Sequence, residues 1–112
     1  MSLQNESGKR NIGRPVRQYS TMAELRDEID HLDRSLVELL SIRQGYMAQA
    51  AHIKQDRNLV RDEERVEDVI SKVIIHARKA GADPALVEKL YRQMIEWCIN
   101  YEMDIFDSRG RT

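Results

Sequence analysis

Two basic residues of this sequence, Arg43 and Lys54, fall eleven positions apart in a stretch whose apolar residues recur at helical spacing. At about 100° per residue of a helix, their side chains would lie within about 20° of each other, three turns apart on one face. Arg26 precedes Arg43 by seventeen residues, which rotates it about 100° away from that face. Arg26 could therefore reach a pocket of a second, antiparallel chain more easily than a pocket beside its own Arg43. Such cations can bind an anionic ligand or can be solvated surface charges, and spacing leaves both interpretations open.

Four further residues are candidates for the same site. Cys98 and Glu102 are four positions apart and would share one face of a helix, whereas Asp62 and Arg65 fall together where another helix should begin. Simpler interpretations exist, because Cys98 could be a small core residue and Glu102 a surface acid. Asp62 could be only a helix N-cap, and Arg65 a surface ion-pair partner. Composition and spacing alone indicate no more than a dimeric helical domain.

Motifs for other kinds of chemistry are missing from the sequence. The three histidines, His31, His52 and His76, are scattered and lack the spacing of metal ligands. The sequence has no glycine-rich phosphate-binding loop, and no Ser-His-Asp set can be assembled locally. We therefore expect neither a metal ion nor a cofactor.

The composition is typical of a small helical protein. The chain has 112 residues, and its 18 Lys or Arg against 19 Asp or Glu give a net charge of −1. This balance gives no reason to expect nucleic acid or an anionic membrane as a partner. Only two prolines, five glycines and 5% aromatic residues favour a helical bundle over a β-sandwich. A single cysteine, and no run of about 18 apolar residues, predict a cytoplasmic protein.

A long first helix is predicted after a polar leader. Residues 1–19 have no hydrophobic period, and we expect a disordered arm there. Thr21 and Glu24 have the spacing of a capping box, in which the Thr21 hydroxyl binds the Glu24 amide and the Glu24 carboxylate binds the Thr21 amide. The helix should run from there to about residue 54. It is too long for one small domain, so part of its apolar stripe should face a partner chain.

Two shorter helices should follow a polar connector at residues 55–58. Asp62 is predicted to be the N-cap of an amphipathic second helix, and Gly81 should adopt the left-handed conformation just past its end. An N-cap aspartate followed by proline at 83–84 predicts the start of a third helix. The predicted fold class is therefore all-α, with a three-helix domain over residues 20–108.

Several segments stand in an order that points to a family. They are LRDEIDHLDRSLVELLSIR at 25–43, IK at 53–54, VRDEER at 60–65 and IEWC at 95–98. In sequence and spacing these segments resemble the all-helical chorismate mutases, over roughly residues 22–106. The connector that precedes Val60 is one residue shorter than in some members of that family.

The resemblance implies a dimeric architecture and a composite site. In that family two three-helix chains interlock as a homodimer, and each of two equivalent sites is completed by an arginine from the partner's first helix. Arg26 would be that arginine, in agreement with its position on the helix. Arg43 and the partner's Arg26 would hold two substrate carboxylates, and Lys54 would bridge a carboxylate and an ether oxygen. The rest of the pocket would be formed by Asp62, Arg65, Cys98 and Glu102.

The implied reaction is the rearrangement of chorismate, a small dicarboxylate, to prephenate. The ether C–O bond breaks while a C–C bond forms, so that no nucleophile, general base or cofactor is required. Catalysis would come from holding the reactive conformer and from positive charge placed where negative charge grows on the ether oxygen. By resemblance, the catalytic residues would be Lys54, Glu102 and Arg43.

Three positions depart from the family pattern. Glu102 stands where many bacterial members carry glutamine, and a carboxylate there would repel the developing charge unless it were protonated. Cys98 replaces a hydroxyl residue. Val66 stands where a glutamate often binds the ring hydroxyl of the substrate, which leaves the identity of the substrate open.

The same fold serves isochorismate pyruvate lyases, which produce salicylate and pyruvate. The segment 64–66 and Trp97 resemble those enzymes as well, whereas the presence of Arg61 and Asp62 favours the mutase. A 4-amino-4-deoxychorismate mutase is a lesser alternative. A non-catalytic helical dimerisation module is the third hypothesis.

Overall fold

The structure, a computed structural model, describes residues 16–109, and these form an all-α fold. The helices are α1 (Met22–Ile53), a short 3-10 helix (Arg57–Leu59), α2 (Glu63–Ala80) and α3 (Pro84–Ser108). No strand occurs within residues 16–109, so the predicted fold class is confirmed. Most of the predicted N-terminal arm, residues 1–15, lies outside the described residues. The chain divides into two compact units, Met1–Arg43 and Gln44–Thr112.

The start of α1 follows the predicted capping pattern with one difference. The Thr21 hydroxyl accepts a hydrogen bond from the Glu24 amide at 3.1 Å, as expected. The Glu24 carboxylate accepts from the amide of Ser20 at 3.3 Å, so its predicted bond to the Thr21 amide was wrong. The glutamate side chain reaches one residue further back, to the residue that precedes the Thr21 cap.

In the first unit, the apolar stripe of α1 is largely uncovered. Five of its side chains are between 39% and 51% exposed: Ile29, Leu32, Leu36, Leu39 and Leu40. Folded monomers rarely leave a contiguous apolar surface of this kind in water. That a second chain covers the stripe stays a prediction.

In the second unit, α2 packs on α3 around a small apolar core. Its buried members are Val60, Ile70, Ile95 and Ile99. Val60 follows the 3-10 helix directly, and this helix itself lies against α3. The connector between α1 and α2 is therefore anchored to the core by a buried side chain, which the polar sequence at 55–58 did not predict.

The predicted caps of α2 and α3 are confirmed. The Asp62 carboxylate accepts from the Arg65 amide at 3.0 Å at the start of α2, and Gly81 ends the helix with φ 81°. The Asp83 carboxylate accepts from the Ala85 amide at 2.9 Å where α3 begins. These local bonds fix where the chain turns from one helix into the next.

Exposed arginine–carboxylate pairs join the elements outside the core. Arg61 donates two hydrogen bonds to Glu96 on α3, at 2.8 and 2.9 Å, and these bonds lower the pKa of the Glu96 carboxyl. Arg92 binds Glu67 of α2 in the same two-pronged way. Because all four side chains are well exposed to solvent, we expect these pairs to orient α2 and α3 more than to stabilise them.

Two glycine-to-alanine substitutions should change stability in opposite directions. Gly81→Ala should cost about 1–2 kcal/mol, because an L-residue is strained at positive φ. Gly45→Ala should stabilise by about 0.5–1 kcal/mol, since glycine in a helix costs entropy and an added methyl group would meet no atom within 4 Å. Urea unfolding at one protein concentration measures both changes. A stabilised Gly81→Ala variant would contradict the left-handed cap.

Candidate active site

Two of the predicted catalytic residues meet in the second unit. The Lys54 ammonium donates to Oε1 of Glu102 at 2.8 Å, although the two residues are 48 positions apart in sequence. Lys54 follows the last residue of α1, and Glu102 lies in the C-terminal part of α3. Folding therefore brings together a cation and an anion that no local sequence pattern connects.

The two charges differ in their access to solvent. The Glu102 side chain is only 6% exposed, whereas the Lys54 side chain is 27% exposed. A carboxylate removed from water is costly unless a charged or hydrogen-bonding partner compensates, and Lys54 provides that partner. The Lys54 ammonium group is therefore partly accessible to solvent, and a buried carboxylate binds it.

Cys98 shares the buried face of α3 with Glu102. The two residues are four positions apart, and each is about 5–6% exposed, which agrees with their predicted placement on one helix face. Ile95 and Ile99 of the same helix belong to the apolar core. The face of α3 that packs the core therefore also carries the acid of the candidate site.

Asp62 and Arg65 lie at the exposed start of α2. The Asp62 carboxylate caps the helix, and the Arg65 guanidinium pairs with Asp68 one turn further along, at 2.6 Å. Within residues 16–109, no hydrogen bond joins either side chain to Lys54 or Glu102. Because an exposed pair of this type contributes little free energy, Arg65 could exchange Asp68 for an anionic ligand, and its substrate-binding role stays a prediction.

Arg26 and Arg43 belong to the first unit. Arg26 is exposed to solvent, and Arg43 is half-buried. Their predicted roles as carboxylate-binding residues stay predictions.

Other features of the described chain suit a dicarboxylate less well. A groove of the first unit is lined by Asp30, Asp33, Arg34, Val37 and Glu38, and its three carboxylates would repel a dianion. Residues 16–109 contain no group of side chains that could hold a metal ion. Over the same residues, none of the helices has the length and apolar character needed to cross a membrane.

Comparison with known proteins identifies the family. The sequence pattern of the type II chorismate mutases matches residues 25–103. The chain belongs to the type II chorismate mutase family. The matched range contains every predicted site residue, from Arg26 to Glu102.

The chain is also similar to a curated protein, an isochorismate pyruvate lyase from Pseudomonas aeruginosa. It is 31% identical over 78 residues, which cover 70% of this chain and 77% of the relative. In this member of the type II chorismate mutase family, Lys54 and Glu102 are two predicted site residues that a direct hydrogen bond joins.

Replacing Lys54 should lower the free energy of unfolding more than replacing Glu102. Lys54→Met leaves a buried carboxylate without a counter-charge and should cost about 2–4 kcal/mol. Glu102→Gln keeps an oxygen acceptor and leaves a cation that can reach water, so it should cost about 1 kcal/mol. Urea unfolding of both variants tests the difference.

The matched control for this comparison is Lys72→Met. Lys72 also pairs with a carboxylate, that of Asp68, but both side chains are well exposed, so the change should be within about 0.5 kcal/mol. Equal effects of Lys54→Met and Lys72→Met would contradict a buried, compensated Glu102.

Proposed function

We propose that this protein is a chorismate mutase, which rearranges chorismate to prephenate. The observation that carries the proposal is the partly exposed Lys54 ammonium, 2.8 Å from a buried Glu102 carboxylate, in a chain of the type II chorismate mutase family. The substrate is a dicarboxylate whose reacting atom is an ether oxygen. A preplaced cation is the group that such a reaction requires.

Lys54 is proposed to stabilise the bond-breaking oxygen. In the concerted reaction the ether C–O bond breaks as a C–C bond forms, and no proton or electron enters or leaves. Negative charge grows on the ether oxygen, where an already positioned cation lowers the barrier more than mobile water does. An ammonium group has three N–H donors, so its bond to Glu102 does not exhaust them.

Glu102 is proposed to fix the direction of the Lys54 side chain. Lysine has four rotatable carbons, and a bond at its tip removes much of that freedom. The negative charge of Glu102, however, opposes the stabilisation of a second negative charge on the ether oxygen. A glutamine at this position would keep an oxygen acceptor for Lys54 and add an N–H donor without the opposing charge.

The substrate carboxylates are assigned to Arg43 and the partner's Arg26. This assignment rests on the family resemblance and on the helical spacing of the sequence. Planar guanidinium groups bind carboxylates through two parallel hydrogen bonds, which fix orientation as well as charge. The exposed apolar stripe of α1 supports a second copy of the chain as the source of Arg26.

A lyase acting on isochorismate is the second candidate function, and the Pseudomonas aeruginosa relative favours it. Isochorismate is also a dicarboxylate, and release of pyruvate from it breaks an ether C–O bond as well. Lys54 could therefore serve either reaction. The products, and not the cation, distinguish the two.

Separate incubation with chorismate and with isochorismate tests the function. We expect prephenate from chorismate, identified by chromatography and mass spectrometry. Lys54→Ala should lower kcat/KM by about 100-fold or more, since it removes the cation at the reacting oxygen. Glu102→Gln should retain or exceed the wild-type rate near neutral pH.

Each other outcome has a defined meaning. Salicylate and pyruvate from isochorismate alone would replace the mutase by the lyase. Conversion of neither substrate would favour the non-catalytic dimerisation module. A large loss in Glu102→Gln would contradict the role given to Glu102.

Mixing two inactive variants tests whether sites are shared between chains. In an interlocked heterodimer, Arg26→Ala and Lys54→Ala fall in the same site and leave the other site intact. Random exchange at equal amounts should therefore restore about a quarter of wild-type activity. Subunits are exchanged by mild denaturation and refolding, and activity is then measured.

The control mixes Arg43→Ala with Lys54→Ala. In the proposed arrangement, Arg43 and Lys54 of a chain serve the same site. One site of this heterodimer therefore lacks Arg43 and the other lacks Lys54, so activity should stay low. Recovery in both mixtures, or a monomer in sedimentation experiments, would contradict the shared site.

A further inference from the structure

Arg109, just past the end of α3, closes the C-terminal end of α1. Its Nη1 atom donates to the carbonyl oxygen of Ala51 at 2.7 Å and to that of Lys54 at 2.6 Å. The last carbonyl groups of a helix have no partner within the helix, and their negative partial charge favours a cation at this end. One nitrogen of a distant arginine thus satisfies two carbonyls in the last turn.

The guanidinium group is itself held in place. It lies over the ring of Phe106, 4.2 Å from the ring centroid, and both of its hydrogen bonds are partly buried. Ala51, one of the two acceptors, is fully buried. A contact between a stacked guanidinium and partly buried carbonyls is more rigid than a surface ion pair between two flexible side chains.

Lys54 is consequently fixed at both ends. Its carbonyl oxygen accepts from Arg109, its amide donates to Ala50 at 3.0 Å, and its ammonium donates to Glu102. The first two bonds set the backbone from which the side chain starts, and the third sets the position of its tip. Loss of the backbone bond would allow the last turn of α1 to fray while Glu102 stayed in place.

We propose that Arg109 is a positioning residue for the Lys54 ammonium. The proposal deepens the proposed function and rests on it, because the value of a fixed ammonium lies in the charge it places at the reacting oxygen. Arg109 acts through the backbone of Lys54 and need not touch the substrate. Small displacements of a catalytic group have large effects on rate, since the geometry must hold within a fraction of an ångström.

Arg109→Gln should lower kcat/KM about tenfold, mainly through kcat, with KM changed less than about threefold. Arg109→Lys should recover much of the loss, because a single ammonium nitrogen can donate to both carbonyls. Arg92→Gln is the matched control. It removes the same charge and the pairs with Glu67 of α2 and Glu88 of α3, but activity should stay within about twofold.

A double-mutant cycle separates positioning from general stability. In a Lys54→Ala background, Arg109→Gln should change the remaining activity by less than about twofold, because the group that Arg109 positions is gone. An undiminished tenfold loss in that background would overturn the proposal, since Arg109 would then act on something other than Lys54.

Chemical labelling gives a readout that does not depend on activity. Under reductive methylation with formaldehyde and dimethylamine borane, followed by peptide mass spectrometry, Lys54 should react several-fold faster in Arg109→Gln than in the wild type. Lys72, an exposed lysine paired with Asp68, should react at an unchanged rate in both proteins. Wild-type protein that converts neither substrate would refute the proposed function, while the labelling rate would still decide the role of Arg109.

A milder variant covers the case in which Arg109→Gln does not fold, as judged by circular dichroism. Phe106→Leu keeps the arginine but removes the ring beneath it. This variant should also raise the rate of Lys54 methylation, by a smaller factor than the one expected for Arg109→Gln. Unchanged Lys54 labelling in every folded variant would overturn the proposal.

Discussion

The contact between Lys54 and Glu102 ties the end of α1 to α3, and the geometry of the candidate site depends on it. Removing a carboxylate from water costs roughly several kcal/mol, and a paired cation regains this only with good geometry. At 2.8 Å, with the acid 6% exposed and the lysine 27% exposed, the geometry is good but the free-energy gain is small. A buried ion pair of this kind is therefore weak evidence for stability.

The contact joins the end of α1 to the C-terminal part of α3. Between these two points the chain passes the capped start of α2 at Asp62 and the capped start of α3 at Asp83. Val60 anchors the connector in the core, so the start of α2 is fixed by packing as well as by its cap. A shift of α3 by one residue would rotate Glu102 about 100° around its axis and break the contact.

Local chemistry explains which parts of this structure the sequence could predict. The caps at Asp62, Gly81 and Asp83 involve residues only a few positions apart, and their residue types favour those conformations. The Asp56 carboxylate likewise caps the 3-10 helix at 57–59 by accepting from the Asn58 amide at 2.9 Å, but this helix was not predicted. The same holds for the bond from the Glu24 carboxylate, which reaches one residue beyond its expected partner.

The site was predictable only in part, because its contacts join distant positions. Helical spacing placed Cys98 and Glu102 on one face, and the family resemblance, not the spacing, associated Lys54 with Glu102. Arg109 gave no signal at all, because it binds backbone carbonyls, which every residue possesses. Side-chain types identify side-chain partners, whereas a bond to the backbone becomes visible only after the chain has folded.

The choice between related substrates depends on groups other than the cation. Val66 stands where a glutamate often binds the ring hydroxyl in this family, and here its side chain packs against the apolar core around Val60 and Ile70. A valine cannot hydrogen-bond a hydroxyl group, and a glutamate in the same direction would place a charge against that core at considerable cost. Discrimination by a hydrogen bond from position 66 is therefore absent. Under the proposed function, the ligand would then be held mainly by its two carboxylates and its ether oxygen, which chorismate and isochorismate have in common.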